Sequence, residues 1–129
     1  MAIERNNFHV ITGGPGSGKT TPIEALRERG VLCADEVARS IIKEQVTIGG
    51  NALHNGDRAL YRELMLSRSA FNYSQVTERT APVFFDRGIP ELIGYRALTG
   101  VDVPAHLRST ATHFRYNPTV FIAPPWQEI

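Results

Sequence analysis

A chain of 129 residues, 42% hydrophobic and 21% charged, holds enough apolar material for a single soluble domain, and no stretch of it approaches the ~18 apolar residues of a membrane span. A net charge of +1, with the basic residues scattered rather than striped, gives no support for a nucleic-acid partner. One cysteine, Cys33, excludes an internal disulfide, and the N-terminal MAIERNN lacks the apolar core of a signal peptide, so a reducing, cytoplasmic location is expected.

The first predicted element is a buried strand, Phe8 to Thr12, that runs straight into glycines. Phe8 to Thr21 reads FHVITGGPGSGKTT, and Gly13, Gly18, Lys19 and Thr20 fit G-x-x-x-x-G-K-[ST], the Walker A pattern of the phosphate-binding P-loop. The chemistry needs that spacing. The chain must turn sharply around a phosphate with its N–H groups inward, and glycines at 13, 14, 16 and 18 allow angles and approaches that a Cβ forbids. The helix that follows aims its free N–H groups and positive dipole end at the same anion. Gly13, Gly14, Pro15, Gly16, Ser17, Gly18, Lys19, Thr20 and Thr21 are therefore the expected nucleotide-binding segment. Lys19 would reach the outer phosphates, and the Thr20 hydroxyl would ligate magnesium. A glycine-rich turn can match such a pattern by chance. This one lies between a predicted strand and a predicted helix, as the motif requires.

That helix is predicted from about Gly18 to Arg29, with Ile23, Ala25 and Leu26 on its apolar side and Gly30 as its stop. Pro22 lies beyond its first position and is expected to distort the first turn or to cost some stability. Val31 to Ala34 is predicted as a second buried strand, in which Cys33 acts as a small hydrophobe. Asp35 is the expected cap of a helix whose apolar face is Val37, Ile41, Ile42, Gln45 and Val46. Thr47 to Gly56 (TIGGNALHNG) has no period and is predicted as a loop, a candidate mobile one. Asp57 would cap a long helix to about Thr77, whose mixed face of Leu60, Leu64, Met65, Arg68 and Phe71 suits lying over a sheet. Ala81 to Phe85 is the third predicted strand and leads into Asp86-Arg87-Gly88. Pro90 and Pro104 each open a helix, one ending before Gly100 and one near Phe114. Thr119 to Ala123, after Asn117-Pro118, is the fourth strand, followed by Pro124, Pro125 and Trp126, the last expected against the sheet edge.

Short apolar strands alternating with helices predict an α/β fold with a parallel sheet covered on both faces, and ligands of such sheets bind at the carboxyl ends of the strands. Three groups fall there: the glycine-rich loop, Asp35-Glu36 and Asp86-Arg87. Phosphoryl transfer asks mainly for positioning and charge neutralisation. Asp86 is expected to hold magnesium, directly or through water, although a helix cap would also place an aspartate there. Arg87 would grip a phosphate on a second substrate. Glu36 or Asp35 would serve as general base or orient an acceptor hydroxyl, Glu36 being favoured because Asp35 is the better cap. His9 is expected to pack in its strand, and His54 is a weak substrate-contact candidate. His106 and His113 lack the third ligand a zinc site needs. Arg108 and Arg115 would add positive charge to the cleft if they are not simply solvated.

With these residues assembled, the chain resembles the predicted ATPases carrying an AAA-type domain, a P-loop group close to small kinases. The resemblance runs through ITGGPGSGKTT, Glu36-x-x-Arg39, FFDRGIPELIGY (Phe84 to Tyr95) and RYNPTVFIAPPW (Arg115 to Trp126), nearly the whole chain. It implies a single three-layer α/β/α P-loop NTPase domain over residues 1–129, with the nucleoside-kinase-like strand order 2-3-1-4-5. It also implies ATP as donor, magnesium as cofactor, Lys19 and Thr20 at the phosphates and Asp86 near the metal, with a small-molecule acceptor left unassigned.

The chain departs from that family at Pro22, and at its end, where relatives continue into a basic lid, a fifth strand and a final helix. The expectation is a C-terminally incomplete domain with an uncovered fourth-strand edge, through which a homodimer would form. The functional expectation is a Mg-ATP-dependent phosphotransferase or ATPase acting on an unknown acceptor, with no nucleic acid and no membrane involved. The alternative is a nucleotide-binding regulatory or interaction module that barely turns over.

Overall fold

A computed structural model describes residues 3–13, 20–98 and 102–123. Its elements are, in chain order, β1 (Ile3–Glu4), β2 (Phe8–Thr12), α1 (Thr20–Glu28), β3 (Leu32–Ala34), α2 (Val37–Ile48), α3 (Arg58–Gln75), β4 (Val83–Asp86), α4 (Ile89–Leu98), α5 (Ala105–His113), β5 (Phe114–Arg115) and β6 (Val120–Ile122). The fold is α/β with a parallel sheet, as the sequence predicts. No described helix is long and apolar enough to cross a membrane. Contacts divide the chain into two units: Met1–Asp35, Thr77–Gly88 and Thr112–Ile129 form the first, Glu36–Val76 and Ile89–Ala111 the second.

The first unit is built on a parallel sheet of order β3-β4-β2-β6. This is the 2-3-1-4 order of the predicted strands. Along β2 and β4, Phe8 lies opposite Val83 and Ile11 opposite Asp86. Side chains alternate across a strand, so Phe8, Val10, Val83 and Phe85 share one face, and all four are buried. The Phe8 and Phe85 rings lie 5.0 Å apart, and Tyr116 stands edge-on to Phe85. The other face carries His9 stacked on Phe84 at 5.3 Å, with Phe121 closing the trio. Fully burying side chains of this size is worth about 2 kcal/mol each, so the central pair β2–β4 anchors the unit. The outer strands bury less. Leu32 on β3 is 55% exposed, which corrects the expectation of a second buried strand: an outer strand covers only part of its side chains.

Asparagines fasten the strand entries. Asn7 donates its side-chain amide to the carbonyls of Glu78 and Ala81, and the Val83 N–H donates to the Asn7 carbonyl. Asn117 donates from its backbone to the Phe8 carbonyl and accepts at Oδ1 from the Thr119 N–H, a turn that launches β6. The parallel pairing of β1 with β5, two residues each, was not expected. Strands that short leave no readable period.

Helix α1 begins at Thr20, two residues later than predicted. Pro22 is then its third residue. Its missing N–H is among the first four that have no intrahelical partner anyway, and the carbonyl its ring would oppose belongs to Gly18, before the helix. The helix runs unbroken to Glu28, so the expected distortion is not found. Ile23 is buried, Leu26 half-buried, and Ala25 exposed rather than packed.

In the second unit the buried face of α2 is Ala38, Ile41 and Gln45, while Ile42 and Val46 are exposed. Ile41 and the polar Gln45 face inward as expected, but the buried stripe takes in Ala38 and leaves out Ile42 and Val46. The Gln45 amide oxygen accepts from the Ala52 N–H at 3.2 Å. The loop predicted from Thr47 starts only at Gly49, Thr47 and Ile48 being still helical, and several of its backbone groups are bonded. Gly49, at φ 71°, ends the helix, the Gly50 N–H returns to the Gln45 carbonyl, and the Asn51 carbonyl accepts from Leu53 and Asp57. Asp57 caps α3 as expected, accepting from the Leu60 N–H. Leu66 and Tyr73 are the buried positions of α3, whereas Leu60 and Phe71 from the predicted face are exposed. Helix α3 packs against α2 and α4, and Arg68 joins it to α2 through Glu44 and Ser40.

Candidate functional site at the strand ends

Parallel pairing brings the strand ends of the first unit level with one another. Ile11 pairs with Asp86 on one side and with Phe121 on the other. The ladder continues past the strands: the Arg87 N–H donates to the Ile11 carbonyl at 2.9 Å, and the Ala123 N–H to the Thr12 carbonyl at 2.9 Å. Ala34 pairs with Phe85, so Asp35 falls at the level of Asp86. Thus the start of the glycine-rich segment, Gly13, sits beside Asp86-Arg87, as expected for a sheet whose ligands bind at its carboxyl ends.

The Asp86-Arg87-Gly88 turn is built with little freedom. Asp86 is buried at 8% exposure. A carboxylate removed from water that far is costly unless positive charge or hydrogen-bond donors match it. Arg87 lies at φ 67°, the left-handed region that a side chain occupies at about 1–2 kcal/mol. Its guanidinium Nη2 donates to the Gly13 carbonyl. At Gly88 an added Cβ would come within 2.8 Å of Val10 Cγ2 and 3.2 Å of Tyr116 Cζ, so only glycine fits. Tyr116 was not singled out from the sequence. It closes the turn against Phe85 and Gly88, and the segment RYNP that carries it was the available signal.

The other predicted site residues separate as follows. Thr20 and Thr21 open α1, and their side chains lie outside the described residues, as do Gly14, Pro15, Gly16, Ser17, Gly18 and Lys19, and Pro124 to Trp126 at the end. Asp35 does not cap α2. It pairs with Arg27 at 2.6 Å in an exposed ion pair, and the N-cap position falls to Glu36, which makes no side-chain capping bond. Arg27 lies eight residues before Asp35 and competes for it as a cation. Glu36 belongs to the second unit.

Cys33 is half-buried, and that burial pushes its thiol up, which leaves it a poor nucleophile. His106 binds both carboxylate oxygens of Glu63 at 2.8 and 3.0 Å, an exposed pair. His113 stands edge-on to Phe114, His54 tilts against Tyr61, and Arg115 donates to the Thr112 carbonyl. Among the described residues, no three His, Cys, Asp or Glu side chains gather as a metal cluster. A cavity of about 440 Å³ lies between α1 and the His9 face of the sheet, lined by Pro22, Leu26, Phe84, Phe121 and Ile122, with Arg29 at its border.

Compared with known proteins, residues 8–129 match a family model described as an AAA domain. No curated protein and no solved structure matches the chain.

Proposed function

Since the chain belongs to the AAA domain family, whose members are P-loop nucleotide-binding proteins, we propose that it binds ATP with magnesium at the carboxyl ends of β2 and β4 and transfers or hydrolyses the terminal phosphoryl group. The observation that carries this reading is Asp86, a buried carboxylate one strand over from the start of the Walker A segment. Carboxylate oxygens are the hard donors that magnesium takes, and the strand end is where such sheets hold phosphates, so the residues fit the group. Asp86 and the Thr20 hydroxyl would hold the metal, and Gly13 to Thr21 with Lys19 would hold the phosphates. Bound magnesium would neutralise phosphate charge as the bond to the leaving oxygen breaks.

The chain's own residues supply position and charge. Gly13 directly follows a strand paired on both sides, which holds it beside the β4 exit that carries Asp86. Lys19 would place a positive charge at the outer phosphates. A small-molecule acceptor would need a base for its hydroxyl proton, and Glu36 is the proposed one; Arg87 is the proposed contact for a phosphate on such an acceptor. Without an acceptor, water takes its place and the reaction is hydrolysis.

The test is magnesium-dependent ADP release by wild type beside Asp86→Asn, which keeps the shape and removes the charge. Turnover is expected to fall about a hundredfold in the variant, the scale of losing one electrostatic stabiliser of the transition state. Equal turnover would remove Asp86 from the site. Nucleotide binding with no turnover by wild type would make the chain a binding module rather than an enzyme.

A further inference from the structure

We propose that Arg87 is a positioning residue for the phosphate loop, its guanidinium holding the carbonyl of Gly13 and so fixing how the loop leaves β2. The proposal rests on Gly13 to Thr21 being a nucleotide-binding segment. It concerns the loop and is separate from any contact with an acceptor.

Three observations carry it. First, Arg87 grips the end of β2 twice: its backbone N–H donates to the Ile11 carbonyl and its guanidinium to the Gly13 carbonyl, two residues further on. One residue of the β4 exit therefore ties down the last turn of chain before the loop. Second, Arg87 holds a left-handed backbone, φ 67°, next to Gly88. If the turn needed only to change direction, glycine would occupy that conformation without strain. Elsewhere the described chain does use glycine there, at Gly30 and Gly49. Keeping an arginine in a conformation that disfavours side chains points to a use for the side chain. Third, the bonded group has the wrong sign for the ligand. A carbonyl lone pair turned toward a phosphate repels it, and a guanidinium on that oxygen occupies the lone pair and leaves a positive charge beside the first loop residue. Arg87 is half-buried, so this bond is less screened than a surface pair.

The mechanism is preorganisation: with the Gly13 carbonyl already held, less freedom is lost at the β2 exit when a phosphate binds. The experiment compares wild type with Arg87→Gly and Arg87→Lys by three readings: thermal midpoint, the Gly13 carbonyl carbon resonance in nucleotide-free protein, and Mg-ATP affinity by calorimetry. Glycine suits the backbone, so Arg87→Gly should fold with a midpoint close to that of wild type. Its Gly13 carbonyl resonance should move upfield as the bond is lost, and its affinity should fall about tenfold, or about 1.4 kcal/mol. Lysine keeps the charge without the planar fork and should recover part of that affinity. An unmoved Gly13 resonance overturns the proposal. So does wild-type affinity in Arg87→Gly, or an affinity loss that comes only with a collapsed midpoint, which would make Arg87 a structural residue. Wild type that binds no nucleotide defeats the functional reading and this proposal together; wild type that binds as well as Arg87→Gly defeats this proposal alone.

Discussion

Two exits from regular structure handle the same geometric demand in opposite ways. At the end of α2, in the second unit, the left-handed position is Gly49, at φ 71°, and the loop beyond it is stitched by the buried amide of Gln45. At the end of β4, in the first unit, the left-handed position is Arg87, and the residue before it is a buried aspartate. The first exit uses the residue that the backbone prefers and places its polar group where it satisfies a neighbour. The second keeps a residue that the backbone resists, beside a buried carboxylate. A fold tolerates such choices where surrounding structure enforces them and a site has use for them. The contrast separates a loop stitched for stability from the turn that carries the proposed site.

Substitutions at these exits can break the comparison. The largest effect is expected at Gly88→Ala, where the new methyl meets Val10 and Tyr116 in a buried position. Overpacking of that kind costs about 3 kcal/mol, read as a lowered midpoint in denaturant. A change within error would mean the turn is not confined. Next is Gln45→Leu, which fills similar volume but leaves the Ala52 N–H without its acceptor. A loss of about 2 kcal/mol is expected, together with faster amide exchange at Ala52; unchanged exchange would show that the amide does not hold the loop. Gly49→Ala should cost about 1 kcal/mol for placing a side chain at positive φ. If Gly49→Ala proved neutral, the strain argued for Arg87 would lose its support. The smallest effect is a gain. His9 Nδ1 is buried without a hydrogen-bond partner among the described residues, between two phenylalanine rings. His9→Phe should stabilise the first unit by about 1 kcal/mol, and a lower midpoint would show that the imidazole is wanted there.

The parallel sheet was legible because each of its four strands is a short apolar run bounded by turn chemistry, whereas their order came only from the family resemblance. The adjacency of Gly13 and Asp86 at neighbouring strand ends was legible because each directly follows an apolar run. What failed needed longer range. Asp35 is a good cap by type, but Arg27, on α1 packed against β3, takes it instead. The face of α2 was misjudged at Ile42 and Val46, apolar by type yet exposed, while the polar Gln45 lies inward as expected because the loop it serves needs its amide. Pro22 was judged against a helix start two residues too early, and a shift that small decides whether a proline breaks a turn or opens one. The left-handed backbone of Arg87 has no sequence signal at all, since nothing about an arginine predicts positive φ.

The most direct test of the account is Mg-ATP binding by calorimetry to wild type and to Lys19→Ala under identical salt. The account predicts saturable, magnesium-dependent binding by wild type that Lys19→Ala weakens at least tenfold, a loss of about 1.4 kcal/mol or more. Equal binding by both proteins, or none by wild type, would contradict it.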